Sequence, residues 1–273
     1  MTTAPEPRFA CGENWERFLK GVDEESVAEA QASLRAMLET SDLAGKTFLD
    51  AGCGSGLFSL AARRLGAVVR SFDVDARSVG CAQALRSRFS PEDAGWMIER
   101  GSALDPAYLA NLGAYDVVYS WGVLHHTGDL WRALDLVSKR VAPEGLFVVA
   151  IYNDQGWRSR AWRLVKRLYN RLPRGLRWPL SLAAFADLWL ARMTLDLWAG
   201  RPFATWRRYR NGRRGMSPWR DVIDWVGGYP YEVAKPEEVF DFCRARGFSL
   251  RRLRTVMGGH GCNEFVFAKE GAC

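Results

Sequence analysis

From residue 47 onward, short apolar runs alternate with stretches whose apolar positions recur at helical spacing. The pattern predicts strands over Thr47–Ala51, Val68–Asp73, Met97–Gly101, Asp116–Ser120 and Leu146–Tyr152. Helices are predicted between them at Leu57–Leu65, Arg77–Phe89 and Leu130–Val141. Strands alternating with helices at this spacing argue for a parallel sheet covered on both faces. The pattern resumes late, with a helix over Pro236–Arg246 and strands over Ser249–Val256 and Asn263–Lys269. Ahead of the sheet, residues 13–39 read as one helix on the period of Trp15, Phe18, Leu19, Val22, Val27, Ala30, Leu34, Met37 and Leu38. Residues 1–10 read as an unstructured lead-in, with no apolar core of a signal peptide.

Between the fifth strand and the late helix the alternation stops. Residues 155–215 carry fifteen Lys/Arg against two acids, Asp187 and Asp196, whereas the whole chain is only +7. The remainder is therefore net negative, and the basic character is local. Six of the twelve tryptophans also fall here. Arg158–Asn170 and Ala183–Ala199 read as helices separated by Pro173, Gly175 and Pro179. Such a segment suits a lid over an acceptor pocket, a surface lying on an anionic membrane, or a nucleic-acid patch. Nucleic acid is the least favoured, because no RNA-binding module is visible. The expected organisation is a helical cap at 1–44, a core at 45–154 and 232–273, and a basic insertion at 155–231.

Composition adds limits. An apolar share of 48% over 273 residues can bury a sizeable core. Cysteines at 11, 53, 81, 243, 262 and 273 follow no metal or disulfide spacing, so reduced thiols, no metal and a cytoplasmic setting are expected. No apolar run is long enough to span a bilayer. Peripheral contact with a membrane stays open.

The candidate chemistry sits where the first strand ends. Asp50-Ala51-Gly52-Cys53-Gly54-Ser55-Gly56 is a glycine turn opening a helix, whose amide dipole points at whatever binds there. Asp73 ends the second strand, where an acid suits a ribose diol. The spacing Asp-x-Gly-x-Gly-x-Gly differs from the dinucleotide Gly-x-Gly-x-x-Gly. It resembles class I S-adenosylmethionine-dependent methyltransferases (type 11/12, quinone- and natural-product-like). The resemblance runs through Phe72–Asp75, Trp96–Asp105, Tyr115–Thr127 and Pro143–Val149, and covers about residues 45–151.

The resemblance implies an α/β, Rossmann-like fold: a seven-stranded sheet in order 3-2-1-4-5-7-6, with an antiparallel seventh strand and a helical insertion after strand 5. It also implies S-adenosylmethionine as cofactor and S-adenosylhomocysteine as product. By motif position, Asp50 would orient the glycine loop and the methionine amine. Gly52, Cys53, Gly54 and Gly56 would lie against the methionine part and ribose, Asp73 would take the ribose hydroxyls, and Val74 would pack on adenine. Many relatives place an acid after strand 3; here Ser102 and Ala103 stand there, so adenine recognition falls to Ser102 and backbone groups. Ser120 and Trp121 would approach the amine and methyl. Trp15 and Phe18 would cover the cofactor or simply pack in the core.

His125 and His126, just past the fourth strand, are candidate bases, since an imidazole pKa of about 6.5 suits removal of a hydroxyl or ammonium proton. His260, in a glycine-rich connection, is a third. Either of the first two could instead be a hydrogen-bonded helix-start residue. Residues 215–232 mix turn residues, aromatics and acids, and read as a substrate loop with walls from Trp219, Trp225, Tyr229 and Tyr231 and carboxylates from Asp221, Asp224 and Glu232. The expectation is methyl transfer to a small-molecule or lipid-linked acceptor, at a hydroxyl oxygen first. The alternatives are N-methylation of a small amine or protein residue, an RNA methyltransferase, or a non-catalytic S-adenosylmethionine-binding protein. Ser120-Trp121-Gly122-Val123 lacks the Pro-Pro-aromatic grip of nucleic-acid amino-methyltransferases.

Overall fold

A computed structural model describes residues 15, 18–19, 21–91, 93–207 and 218–271 of the chain, without the side chains of positions 174, 218, 220, 221 and 224. The apolar runs form one mixed sheet: β1 Thr47–Ala51, β2 Val68–Asp73, β3 Trp96–Arg100, β4 Tyr115–Trp121, β5 Val141–Tyr152, β6 Phe248–Arg254 and β7 Cys262–Lys269. Their order is β3-β2-β1-β4-β5-β7-β6. The first five strands pair in parallel; β7 runs antiparallel to both β5 and β6. Order and the reversed seventh strand agree with the fold the motif series implied.

Strand composition explains the burial. A parallel sheet is covered on both faces, so its strands are apolar without alternation. Phe48 and Leu49 of β1, Val117 and Val118 of β4, and Phe147 through Ile151 of β5 are all buried. The described helices are α1 Glu24–Leu38, α2 Leu57–Arg64, α3 Ala76–Phe89, α4 Pro106–Ala110, α5 Leu130–Ser138, α6 Trp157–Arg171, α7 Trp178–Trp198, α8 Pro218–Gly227 and α9 Pro236–Arg244. Asp23, Asp75, Asp105 and Asp129 cap α1, α3, α4 and α5 by accepting backbone N–H groups of the first turn. Each such cap satisfies N–H groups that the helix start leaves open.

Four expectations change. The single helix over 13–39 is interrupted: Gly21 is in a turn and α1 starts afresh at its Asp23 cap, whose carboxylate accepts from Ser26. β5 begins at Val141 instead of Leu146, because Tyr115 pairs with Val141 before the ladder shifts register. α7 starts at Trp178, five residues earlier than expected, since Pro179 falls in the first turn, where its missing N–H costs nothing. Residues 218–227 are a helix, not a loop: Val222 and Val226, at helical spacing, are buried within it.

The described chain divides into two compact units, one of Gly156–Tyr231 and the other of the sheet with its flanking helices. In the Gly156–Tyr231 unit, α8 packs on α6 and α7. The α6 positions Ser159, Trp162, Lys166 and Tyr169 form its buried stripe. The Lys166 amine donates to the Trp225 carbonyl and lies over the rings of Trp225 at 4.2 Å and Tyr231 at 4.7 Å. Burial pushes that amine well below the usual lysine range. Among the described residues, no helix is long and apolar enough to cross a membrane.

Candidate functional site

The register of β1, β2 and β4 brings their carboxyl ends together: Ala51 pairs with Phe72, and Asp50 with Tyr119. The chain reverses its winding direction between β1 and β4, which opens a crevice where α/β sheets bind ligands. The glycine turn sits there. Backbone N–H groups of Gly52 and Cys53 both donate to the Phe72 carbonyl, tying the turn to β2. Gly52, Gly54 and Gly56 all have positive φ. A Cβ on Gly52 would lie 2.3 Å from Val123, and one on Gly54 would lie 2.9 Å from the Trp15 ring. Trp15 therefore stands against the turn, edge-on to Phe18.

Two acids face this turn. Asp50 is buried and accepts from the Ser59 hydroxyl at 2.6 Å. Burial raises its pKa from 3.8 to about 7; Ser59 pulls it down in part and Asp73 pushes it further up. Asp73 accepts from the Gly54 N–H on one oxygen and the Asp75 N–H on the other. Its pKa is also raised, by burial first, against the lowering effect of those two backbone bonds. Each Asp73 oxygen keeps a lone pair for a further donor. The same burial and both acids hold the Cys53 sulfur as an unreactive thiol, its pKa well above the usual range. Two carboxylates close together and withdrawn from water, Asp50 fully and Asp73 in part, are each harder to ionise. A ligand bringing one positive charge and a vicinal diol would complete both.

The other cofactor candidates have definite places. Val74 is exposed just past β2, and its carbonyl accepts from Arg100. The Ser102 hydroxyl accepts from the Leu104 N–H in the turn after β3, and Ala103 is buried beside it. The buried Ser120 hydroxyl donates to the Ala51 carbonyl, so it locks β4 to β1 at the crevice floor. Trp121 stacks on Phe58, which stacks in turn on Tyr119.

The two adjacent histidines differ. Leu124–His126 is a single 3-10 turn. His125 is fully buried, packs on the Tyr152 ring at 3.9 Å, and its Nδ1 accepts the Tyr152 N–H at 3.3 Å. Nδ1 is thus occupied as the acceptor of that N–H. His126 is half-buried, with its ring perpendicular to Tyr152. His260 lies in the turn joining β6 and β7, and that turn is held to the end of β5 by Asn153 and Gln155, which donate to Met257 and Gly258 carbonyls. Among the described residues there is no cluster of His, Cys, Asp and Glu able to hold a metal.

The expected substrate loop is redistributed. Trp225 and Tyr231 pack around Lys166 within their own unit, Tyr229 is buried, and Trp219 is partly exposed beside Phe185. The side chains of Asp221 and Asp224 lie outside the described residues. The two oxygens of Glu232 accept from the Gly128 and Leu130 N–H groups, which satisfies open donors at the start of α5. Sequence reasoning missed Ser59, Val123 and Tyr152. None carries a motif, although Ser59 follows Gly56 by three residues and so falls on the first turn of α2, beneath the strand end.

Comparison with known proteins places this geometry. A family model described as a methyltransferase domain matches residues 24–211, more than half of the chain. The ubiquinone biosynthesis O-methyltransferase of Rhodopseudomonas palustris (strain BisA53) is 33% identical over 139 residues, which cover 50% of this chain and 51% of that protein. Its counterpart in Caulobacter sp. (strain K31) is 31% identical over 115 residues, 40% of this chain and 42% of that protein. The chain thus spans about half the length of the curated relatives it matches. Magnesium protoporphyrin IX methyltransferase from Synechocystis PCC 6803, solved with bound SAH, superposes with a TM-score of 0.54 at 16% identity, covering 95% of this chain and 94% of that one. An O-methyltransferase family protein from Burkholderia thailandensis gives a TM-score of 0.55 at 12% identity, covering 90% of this chain and 58% of that one. At such identities the likeness concerns the fold.

Proposed function

This chain belongs to the class I S-adenosylmethionine-dependent methyltransferases, and from that premise we propose that it methylates a hydroxyl oxygen of a small-molecule or lipid-linked acceptor. The observation that carries the reading is the buried Asp50 and the half-buried Asp73 at the glycine turn, two acids whose pKa values are both raised and whose hydrogen bonds tie them to Gly54 and the start of α2. Bound S-adenosylmethionine supplies a methyl on a sulfonium, so transfer needs only an aligned nucleophile and the removal of its proton. Asp50 would balance the positive charge of the methionine part, and Asp73 would accept the ribose hydroxyls. Gly52 and Gly54 would let the backbone close on the ligand. Val74, Ser102 and Ala103 would border the adenine, and Trp121 the methyl.

His126 is our choice of base, because His125 is fully buried with Nδ1 engaged by the Tyr152 N–H. His125 would then position its neighbour: their rings are 4.5 Å apart, and the His125 carbonyl accepts from the Glu232 N–H. Oxygen is favoured over nitrogen by the names of the Rhodopseudomonas and Caulobacter relatives. We place the protein in the cytoplasm, where the thiols of Cys53, Cys243 and Cys262 would stay reduced.

The test is transfer of labelled methyl from S-adenosylmethionine to panels of phenols and quinols, small amines, peptides and RNA. Label in the phenol or quinol panel, lost in His126→Ala, supports the reading. Label confined to amines or peptides moves the acceptor to nitrogen, and label confined to RNA replaces the acceptor class. Cofactor binding with no transfer to any panel would favour a non-catalytic binder.

A further inference from the structure

The Gly156–Tyr231 unit leaves outward faces that a water-exposed helix does not need. On α6, Trp157, Ala161, Leu164 and Leu168 recur at i, i+4, i+7 and i+11, one strip of a 3.6-residue helix. All four are exposed, Trp157 by 72% and Leu164 by 68%. The opposite strip, with Trp162 and Tyr169, is already buried, so the exposed strip is a second apolar face. Beside it, Arg160, Arg167 and Arg171 form an exposed cationic strip, and α6 contains no acid at all. The exposed apolar positions continue at Leu176 in the connecting turn and Trp178 at the start of α7. On α7, Leu182, Ala186, Leu190 and Leu197 fall within one quarter of the helix circumference, all exposed, and Trp198 at its end is 92% exposed.

We infer that this unit docks on the surface of an anionic lipid bilayer, with the α6 apolar strip entering the headgroup boundary and the flanking arginines meeting lipid phosphates. Aliphatic and tryptophan side chains beside a one-sign cationic strip match a surface that is apolar below and negative above. Nucleic acid offers the negative charge but no partner for Leu164, Leu168, Leu182 and Leu190, since base contacts favour aromatic and planar groups. A second copy of the chain would bring equally cationic strips face to face, which charge repulsion opposes. α7 carries Asp187, Arg192 and Asp196 and does not meet the requirement for spanning, so contact is peripheral. The inference does not depend on methyl transfer.

The experiment is co-sedimentation of the full chain, without S-adenosylmethionine, with vesicles of phosphatidylcholine alone or of phosphatidylcholine with phosphatidylglycerol. Binding should need phosphatidylglycerol, weaken with salt, and survive inorganic phosphate at the same phosphate concentration. Tryptophan emission should shift to the blue and be quenched by brominated acyl chains. Arg160→Gln, Arg167→Gln and Arg171→Gln together should weaken partitioning on the order of 100-fold. Leu164→Glu with Leu168→Glu should abolish the quenching. Thermal unfolding and cofactor titration of each variant check that it remains folded. The inference is overturned by equal binding to both vesicle types, by binding to neither, by displacement with inorganic phosphate, or by folded variants that bind like the parent. Preferential binding of an RNA oligonucleotide or of a second copy would also overturn it.

Discussion

Replacing Asp50 by Asn removes a charge while keeping the shape and a hydrogen-bond acceptor for Ser59. Asp50 is fully buried, and its pKa rises from 3.8 to about 7 on folding. The folded protein therefore holds this proton more tightly than the unfolded chain. The sign is opposite to that of an ion-paired carboxylate: the penalty is absent below pH 3.8, grows as pH rises, and is complete above about 7. Each tenfold gain in proton affinity corresponds to about 1.4 kcal/mol, so an ionised Asp50 costs roughly 4 kcal/mol in the protein without ligand. Asp50→Asn lacks this penalty. At pH 8 it should be the more stable protein by an amount on that order, or roughly 10 °C in Tm for a chain of this size. At pH 4 the two should be within about 1 kcal/mol. Urea unfolding of both proteins across pH 4–8, paired with calorimetric titration of S-adenosylmethionine, reads both halves of the account. The expected variant is more stable at high pH and no longer binds the cofactor. Parallel stability profiles for the two proteins, or a parent that gains on the variant as pH rises, would refute the reasoning.

Other substitutions probe the neighbouring groups. Gly52→Ala places a methyl 2.3 Å from the stiff, branched Val123 at a φ of +85, which should cost about 1–3 kcal/mol by chemical denaturation and weaken cofactor binding. His126→Ala should lower kcat by about 100-fold with Tm unchanged. His125→Ala leaves the Tyr152 N–H without its acceptor and opens a cavity, so it should lose about 2 kcal/mol of stability in thermal unfolding. Glu232→Gln replaces a charged acceptor at the start of α5 by a neutral one and should cost about 1 kcal/mol in urea unfolding, with the cofactor affinity unchanged.

What could be read from the chain beforehand was whatever local chemistry dictates. Continuous apolar runs such as Val117–Tyr119 and Leu146–Ile151 have one use in a parallel sheet, and Asp50 through Gly56 specify a turn that few other sequences make. Strand order came with the resemblance, and the ladder pairings agree with it. Features set by distant partners were hidden. Lys166 sits in a basic run and reads as solvated, yet it shares the helical face of Trp162 and Tyr169 and is buried against Trp225 and Tyr231. The contacts of Glu232 with Gly128 and Leu130 could not be read either, because those partners lie 104 and 102 positions away. The difference between His125 and His126 depends on Tyr152, which only the pairing of β4 and β5 brings near.

The central claim is a cofactor site built on Asp73 and the glycine turn. Calorimetric titration of the full chain and of Asp73→Ala with S-adenosylmethionine and S-adenosylhomocysteine tests it most directly. The account predicts saturable binding of both ligands by the parent, weakened on the order of 100-fold in the variant as two charge-assisted hydrogen bonds are lost. Equal affinity in parent and variant, or no binding by the parent with ligand in large excess, would contradict it.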